Sequence, residues 1–293
     1  MLTLIVQQSI NGVVLGSLYV LVALGLTLVY GVLRQINFAH ADIVTLGAFA
    51  AYFFTTYRGG GYLLSLAVAA LLGGVLGWLI NAAIFVPLRT QGSELRPLIA
   101  TIGVSVMIQN GALALFGPIP YAFETPYTAA VIRFGRVYVS VQNAIILVAA
   151  AASIGLLFAF MRLTFMGKAL RAVAQDQETA GLMGINPNRL IMLTFVIGSA
   201  LAGLGGALLG PVLVLTPFAG ASVIVKAFAI VVIGGFGNIE GTILAGLLVG
   251  LIEAATTQVL DPGLIDIVVF ALLLATLAIR PTGLIAERRA ENV

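Results

Sequence analysis

The chain has 293 residues, of which 61% are hydrophobic and only 9% are Asp, Glu, Lys or Arg. Because a typical soluble domain carries about 25% charged residues, this composition excludes a soluble globular protein and indicates an integral membrane protein. The net charge of +3 comes from basic residues near the ends of apolar runs, which argues against nucleic-acid binding, and the absence of cysteine excludes disulfides and thiol catalysis.

Nine long apolar segments follow one another along the chain. A transmembrane helix needs about 20 predominantly apolar residues to cross the bilayer core. The segments are predicted at 4–32, 36–57, 62–86, 98–116, 137–160, 191–215, 221–235, 239–260 and 263–279, before a polar tail at 280–293. We therefore predict an all-α polytopic membrane protein that forms a single domain over 1–293, with about eight or nine transmembrane segments.

Two of the apolar runs are interrupted in a similar way. Residues 29–42 and 232–242 each contain a polar break, after which the apolar pattern resumes. Paired interruptions in the two halves of a chain indicate the pathway of a transporter, so we predict two broken or re-entrant segments. At these breaks, Asn37 and Asn238 are each placed to cap a helix that begins at the next residue.

Several polar and ionisable residues fall inside the apolar segments or at their edges. A charge in hydrocarbon costs at least about 2.5–3.5 kcal/mol, so such groups face a watery cavity, a partner or the interface. Two roles remain open for them, either lining a pathway or capping and folding helices. The candidate pathway residues are Asn37, His40, Asp42, Thr101, Ser105, Lys226, Asn238 and Glu240. Lys226 has no carboxylate within four residues, so it either reaches the outer interface or pairs across helices with an acid such as Asp266.

The longest polar interruption lies at 161–190. Its residues at 167–183 have the spacing of an amphipathic helix, and Gly184 followed by Pro187 predicts that this helix stops there. The helix stands between two membrane spans and carries an apolar stripe, which needs a partner or a lipid surface. This favours a docking helix over a loop that is merely solvated.

Motifs along the chain resemble those of LivH-type permeases, the membrane subunits of branched-chain amino acid ABC importers. Glu178-Thr179-Ala180 followed by Gly184 is similar to the Glu-Ala-Ala-x-x-x-Gly loop of bacterial importer permeases. The other blocks that resemble the family lie at 25–40, 101–105, 226–228 and 280–284, together with Gly234-Gly235 and Gly241.

The resemblance implies that residues 162–189 form a coupling loop, in which 167–184 is a coupling helix that docks into a groove of an ATPase subunit. The coupling residues that it implies are Arg171, Asp176, Glu178, Thr179, Ala180 and Gly184. The implied partners are a second, homologous permease subunit (LivM-like), two cytoplasmic ABC ATPase subunits and a periplasmic substrate-binding protein. The pathway would run between the two permeases.

The expected function is therefore the permease subunit of a binding-protein-dependent importer for branched-chain or other small amino acids. The chain has no P-loop motif, so we expect a transport subunit without its own ATPase site, and ATP would be used by the partner subunits. We expect no metal site and no bound cofactor. Ala41 and residues 81–86 depart from the family pattern, which leaves urea or short amides as alternative substrates. A self-sufficient secondary transporter or channel is the alternative from a different class.

The positions of lysine and arginine predict the orientation in the membrane. With the coupling loop in the cytoplasm, ten basic residues lie inside and three lie outside. The inside set is Arg34, Arg89, Arg96, Arg162, Lys168, Arg171, Arg189, Arg280, Arg288 and Arg289, and the outside set is Arg58, Arg133 and Arg136. This bias predicts a multi-pass protein of the bacterial inner membrane with a periplasmic N-terminus and a cytoplasmic C-terminus.

Overall fold

The computed structural model describes residues 2–89, 95–135, 137–258, 260 and 262–285, and these residues are mostly helical. The helices are α1 Leu2–Leu33, α2 His40–Tyr57, α3 Tyr62–Ile80, α4 Val86–Arg89, α5 Leu95–Phe116, α6 Val141–Leu163, α7 Phe165–Gln175, α8 Gln177–Leu182, α9 Pro187–Leu209, α10 Ala219–Gly234, α11 Ile239–Thr256 and α12 Ile265–Ile279. A π-helical turn, Asn81–Phe85, joins α3 to α4, and a 3-10 turn, Pro262–Leu264, precedes α12. The tail predicted at 280–293 lies outside the described residues beyond 285.

The apolar helices confirm a multi-pass, mainly α-helical membrane protein. Six of the described helices are long and apolar enough to cross a membrane. They are Thr3–Leu33, Tyr62–Arg89, Leu95–Phe116, Val141–Leu163, Pro187–Leu209 and Ile239–Thr256. Two further apolar helices, α10 and α12, are shorter.

The span predicted at 137–160 begins later than expected. Val137–Ser140 forms strand β2, which pairs in an antiparallel hairpin with β1, Val131–Phe134. Helix α6 begins only after Ser140, whose Oγ accepts a hydrogen bond from Asn143 N at 3.1 Å. The prediction was wrong here because a short apolar run suits a strand as well as a helix, and the serine cap decides where the helix starts.

Helix α9 begins four residues earlier than the sequence predicts. It was predicted at 191–215 but spans Pro187–Leu209. Asn186 caps it, with Oδ1 accepting a hydrogen bond from Arg189 N at 3.2 Å. Proline at the first helical position loses nothing by lacking an N–H, because that group has no partner inside the helix. Pro187 therefore stands at the start of this helix, five residues after α8 ends at Leu182.

Helix α1 lies at the centre of the bundle and packs against α6, α9, α10 and α11. In the 18-residue apolar stretch with which α1 would cross the membrane, 89% of the residues are buried. The hydroxyl oxygens of Thr27 on α1 and Thr242 on α11 are 2.8 Å apart, which joins the two helices by a buried hydrogen bond. The first helix in the chain is thus the most deeply buried of the six long spans among the described residues.

Glycines let α9 approach two neighbours very closely. A Cβ atom at Gly203 would overlap the carbonyl oxygen of Ala69 on α3, and one at Gly206 would overlap that of Val44 on α2. Small residues at such positions allow helix backbones to touch, which is how helices associate in lipid without a hydrophobic driving force. This packing holds α2 and α3 on one side of the central bundle.

Candidate functional site

The coupling loop contains two helices rather than one. Helix α7 ends at Gln175, α8 begins at Gln177, and Asp176 between them has an extended backbone with φ −153° and ψ 114°. The prediction of a single helix over 167–183 was wrong because Asp176 acts as an N-cap, and a capping residue is itself non-helical. The chain turns at this residue.

The Asp176 carboxylate holds the start of α8. Its Oδ1 accepts hydrogen bonds from Glu178 N at 2.9 Å and Thr179 N at 3.1 Å, and its Oδ2 accepts one from Thr179 Oγ1 at 2.7 Å. These bonds, those from Thr179 foremost, lower the pKa of Asp176 because they favour the charged carboxylate. The cap is therefore complete above the ordinary aspartate pKa and is lost only as the pH falls through the lowered value.

Helix α8 ends in a Schellman turn at Gly184, whose φ is +81°. Gly184 N donates to Gly181 O at 3.0 Å, and Ile185 N donates to Ala180 O at 3.1 Å. A positive φ is easy only for a residue without a Cβ atom, so glycine is required for this turn. The predicted stop at Gly184 is confirmed.

The coupling loop buries its apolar stripe against its own chain. Leu170 and Val173 of α7 and Ala180 of α8 are buried, whereas Leu182 and Met183 are 84% and 79% exposed. The buried part of the predicted stripe therefore holds the loop onto the membrane helices, while Met183, which the prediction also placed in the stripe, stays exposed. The far side of α8 stays exposed, as do Phe165 and Met166 at the start of α7.

The predicted coupling residues divide between this free surface and the chain itself. Asp176, Glu178, Thr179 and Gly184 are exposed around α8, whereas Ala180 is buried. Arg171 is exposed as well, but its guanidinium reaches back along the chain and donates a hydrogen bond to the carbonyl oxygen of Met161 at the end of α6. Arg171 thus fixes the position of α7, as the buried Ala180 does for α8.

The two predicted breaks lie side by side. A Cβ atom at Gly31 would lie 3.2 Å from Gly237 Cα, and the rings of Tyr30 and Phe236 have centroids 4.3 Å apart. Their sequence separation hides this contact, which only the packing of α1 beside α10 and α11 creates. The first break carries Arg34 with φ +53°, a backbone conformation that is uncommon for a residue with a side chain.

The capping predictions at the breaks have different outcomes. Asn238 caps α11 as predicted, with Oδ1 accepting a hydrogen bond from Gly241 N at 2.9 Å. Asn37 does not cap a helix at residue 38, because α2 begins at His40. Its Oδ1 accepts a hydrogen bond from Ala39 N at 3.1 Å in a turn before the helix.

A cavity of about 670 Å³ opens beside the second break, between α1, α6, α7 and the start of α11. It brings together three of the predicted residues: Arg171, Asn238 and Glu240. Glu240 Oε1 accepts a hydrogen bond from Arg162 Nη2 at 2.7 Å, and Arg162 lines the same cavity. The coupling loop and the second break therefore share one polar cavity.

His40 lies away from this cavity and is fully buried. Its Nε2 is 3.2 Å from the carbonyl oxygen of Val22 on α1. A Cβ atom at Gly25 would lie 2.7 Å from His40 Cε1, so glycine at this position leaves the space that the imidazole fills. These contacts make His40 part of the packing between α1 and α2.

A second polar cluster joins α2 to α5. Gln109 Nε2 donates to Asp42 Oδ1 at 3.0 Å and lies 3.0 Å from Ser105 Oγ. Thr101 Oγ1 accepts a hydrogen bond from Phe38 N at 3.3 Å, one turn before α2. Among the described residues, Asp42 Oδ2 is buried without a hydrogen-bond partner. The structure therefore brings together three of the predicted residues, Asp42, Thr101 and Ser105.

Gln109 was missed, although the sequence carried its signal. Thr101, Ser105 and Gln109 follow one another at four-residue spacing, which places them on one face of a helix. That polar face on an apolar helix indicates a contact with another polar group, here the carboxylate of Asp42.

Lys226 pairs across helices, which was one of its two predicted roles. Its Nζ lies 2.7 Å from Glu253 Oε1 and 3.3 Å from Asp266 Oδ1. Tyr19 Oη, 3.4 Å from Lys226 Nζ, completes the cluster. Asp266 was the expected partner, but the closer acid is Glu253. Which acid faces a lysine across helices depends on packing, so the sequence alone does not specify it.

Residues 8–277 match the family described as branched-chain amino acid transport system / permease component. The chain belongs to this permease family. The match covers every membrane helix except the first residues of α1 and the end of α12.

Full-length relatives agree with this assignment. The permease is 35% identical to the high-affinity branched-chain amino acid transport system permease protein LivH of Escherichia coli K12. The alignment extends over 300 residues and covers 98% of this chain and 97% of LivH. It is 34% identical over 307 residues to the corresponding protein BraD of Pseudomonas aeruginosa, with the same coverage. LivM of E. coli K12 is 26% identical over 268 residues, 83% of this chain and 62% of that protein. No solved structure matches the permease significantly.

Proposed function

We propose that this permease imports branched-chain or other small amino acids as one membrane subunit of a binding-protein-dependent ABC importer. Its partners in this proposal are a LivM-like second permease, two cytoplasmic ATPases that use ATP, and a periplasmic binding protein. The main support is the coupling loop, because Leu170, Val173 and Ala180 are buried while the far side of α8 still exposes Leu182 and Met183. Two large apolar side chains beside Glu178 and Thr179 form a surface suited to a protein groove.

Nine membrane segments fit the described helices. Besides the six long spans, three further helices cross the membrane in this proposal: α10, α12 and the 18-residue α2. Helix α2 packs against α3 and α9, which are two of the long spans. Nine crossings, an odd number, leave the two termini on opposite sides of the membrane, as the positive-inside rule requires for a periplasmic N-terminus and a cytoplasmic C-terminus. In this topology both breaks face the cytoplasm, on the side of the coupling loop.

The proposed pathway passes the cavity at the second break. Asn238 and Glu240 line it, so its polar lining gives a passing amino acid hydrogen-bonding groups at the cytoplasmic side. The α2–α5 cluster of Asp42, Thr101 and Ser105 forms a second polar region for a passing amino acid. We assign Asn37, His40 and Lys226 the supporting role of holding the helices that frame this route.

The experiment that tests the proposal is uptake by proteoliposomes that contain the purified complex. Leucine uptake should require ATP and the loaded binding protein, and should survive a protonophore. Co-purification of an ATPase subunit with the tagged permease is the first step. If a protonophore alone stops uptake while ATP is held constant, the permease works as a secondary transporter. If the proteoliposomes take up urea or acetamide instead, and leucine does not compete with that uptake, the substrate belongs to the amide class.

A further inference from the structure

We infer that Arg162 and Glu240 are positioning residues that carry movement of the coupling loop to the second break, and that Gln177 makes the corresponding link to the first break. The inference rests on the proposed function, since it explains how a docked ATPase would act on the membrane helices. It gives Glu240 a role in coupling instead of substrate contact.

The first link is an ion pair. Arg162 is the first residue of the coupling loop, and its Nη2 lies 2.7 Å from Glu240 Oε1 in the first turn of α11. The guanidinium also lies over the ring of Phe158, with 4.3 Å between Cζ and the ring centroid. This stacking holds the arginine in the orientation that reaches Glu240.

The second link is a hydrogen bond at the other helix of the loop. Gln177 Nε2 donates to the carbonyl oxygen of Val32 at 3.0 Å. Val32 lies in the last turn of α1, directly before the first break, and Gln177 is the first residue of α8. Helix α8 thus holds a carbonyl group that the end of α1 leaves without a partner inside the helix.

The two links converge because the breaks themselves touch at Gly31 and Gly237. A displacement of the coupling loop acts on α1 through Gln177 and on α11 through Arg162. Glycine at both contact points leaves no side chain to absorb the movement. The loop, the end of α1 and the start of α11 therefore form one mechanical unit around the shared cavity.

The exposure of the ion pair makes the inference testable without unfolding the protein. The side chains of Arg162 and Glu240 are 62% and 54% exposed. Exposed ion pairs add little to folding stability, so their loss leaves assembly intact. What changes is the geometry between the loop and the break, which stability measurements do not detect.

The test uses the reconstituted importer with its loaded binding protein, and leucine uptake and ATP hydrolysis are measured in the same vesicles. Arg162→Glu and Glu240→Arg should each lower the leucine transported per ATP about two- to fivefold, while the charge-swapped double variant recovers it. Gln177→Glu, which removes the donor, should also lower the ratio. Gln175→Glu is the matched control, because it makes the same change two residues away.

Three outcomes separate the alternatives. Unchanged ratios in both single variants, or a double variant that falls as the product of the singles, overturn the inference. A higher KM in Glu240→Gln with a normal ratio in Arg162→Glu makes Glu240 a substrate ligand and also overturns it. If the wild-type complex shows no ATP-dependent uptake, the proposed function fails before any variant is compared.

Discussion

Lys226 Nζ lies 2.7 Å from Glu253 Oε1, and the two side chains are only 16% and 10% exposed. They stand on α10 and α11, so the pair joins two helices on either side of the second break. Asp266 on α12 lies 3.3 Å from the same ammonium but is 62% exposed. Glu253 is therefore the partner that shares the low-dielectric environment of Lys226.

We expect Glu253→Gln to lower the stability of the permease by about 3 kcal/mol, because it leaves a buried ammonium without its nearest counter-charge. Thermal unfolding in detergent measures the loss. Lys226→Met combined with Glu253→Met should recover most of it, since an apolar pair has no charge to desolvate. Equal losses in the single and double variants would show that the side chains matter only for packing.

Gly203→Ala should destabilise the permease by about 1–3 kcal/mol, because the new methyl group overlaps the carbonyl oxygen of Ala69 and forces α9 away from α3. The matched control is Gly103→Ala on α5, where a Cβ atom meets no other atom within 4 Å. That variant should be neutral or slightly stabilising in the same thermal assay, as alanine favours helices over glycine. Similar melting temperatures would contradict the close packing.

Gly184→Val should abolish ATP-driven uptake while the permease still assembles, because valine resists the φ of +81° that ends α8. Gly184→Asn is the control at the same position, since asparagine tolerates a left-handed backbone. Uptake should be retained with Asn and lost with Val, measured per assembled complex. Equal activity of the two variants would remove the turn from the coupling mechanism.

Asp176→Ala should reduce ATP hydrolysis stimulated by the loaded binding protein, because α8 loses its N-cap, while Asp176→Asn should retain it. The carboxylate also gives a pH signature. Hydrogen bonds from Thr179 lower the pKa of Asp176, so the cap is lost only when the pH falls through that lowered value. Thr179→Val raises the pKa of Asp176, so stimulated ATP hydrolysis should fall at a higher pH than in the wild type. In Asp176→Asn, stimulated ATP hydrolysis should show no step of this kind as the pH is lowered.

Asn238→Ala should slow uptake per assembled complex, because Asn238 lines the cavity as well as capping α11. Asn238→Ser keeps a capping oxygen and separates the two roles. If the residue only caps, alanine lowers stability by about 1 kcal/mol and the normalised uptake of both variants stays constant.

His40→Ala should instead lower assembly with unchanged normalised uptake, since its imidazole fills a packing gap at Gly25.

Features that depend on neighbouring residues were predictable from the sequence. Gly184 ends α8 and Asn238 caps α11, because turns and caps are determined within a few residues. The break at Asp176 had the same kind of signal, an acid three residues before a hydroxyl group. It was missed because the apolar spacing across 167–183 continues through it.

Features that depend on which helices pack together were not predictable. Nothing near Lys226 in the chain indicates Glu253, and nothing near Gly31 indicates Gly237. Both pairs follow from the position of α10 and α11 beside α1. The inward direction of the coupling stripe has the same origin, because an amphipathic pattern shows that a face is covered but not what covers it.

The central place of α1 has a consequence for biosynthesis. The helix leaves the ribosome first, yet Thr242, which bonds Thr27, and Glu253, 3.2 Å from the hydroxyl of Tyr19, belong to α11 and are made near the end. Until residues 239–256 enter the membrane, those polar groups of α1 have no permanent partner in the lipid. A chain that stops before α11 should therefore be inserted but recognised by quality-control proteases. A pulse-chase experiment should show a shorter half-life for this truncated chain than for one that extends through α11.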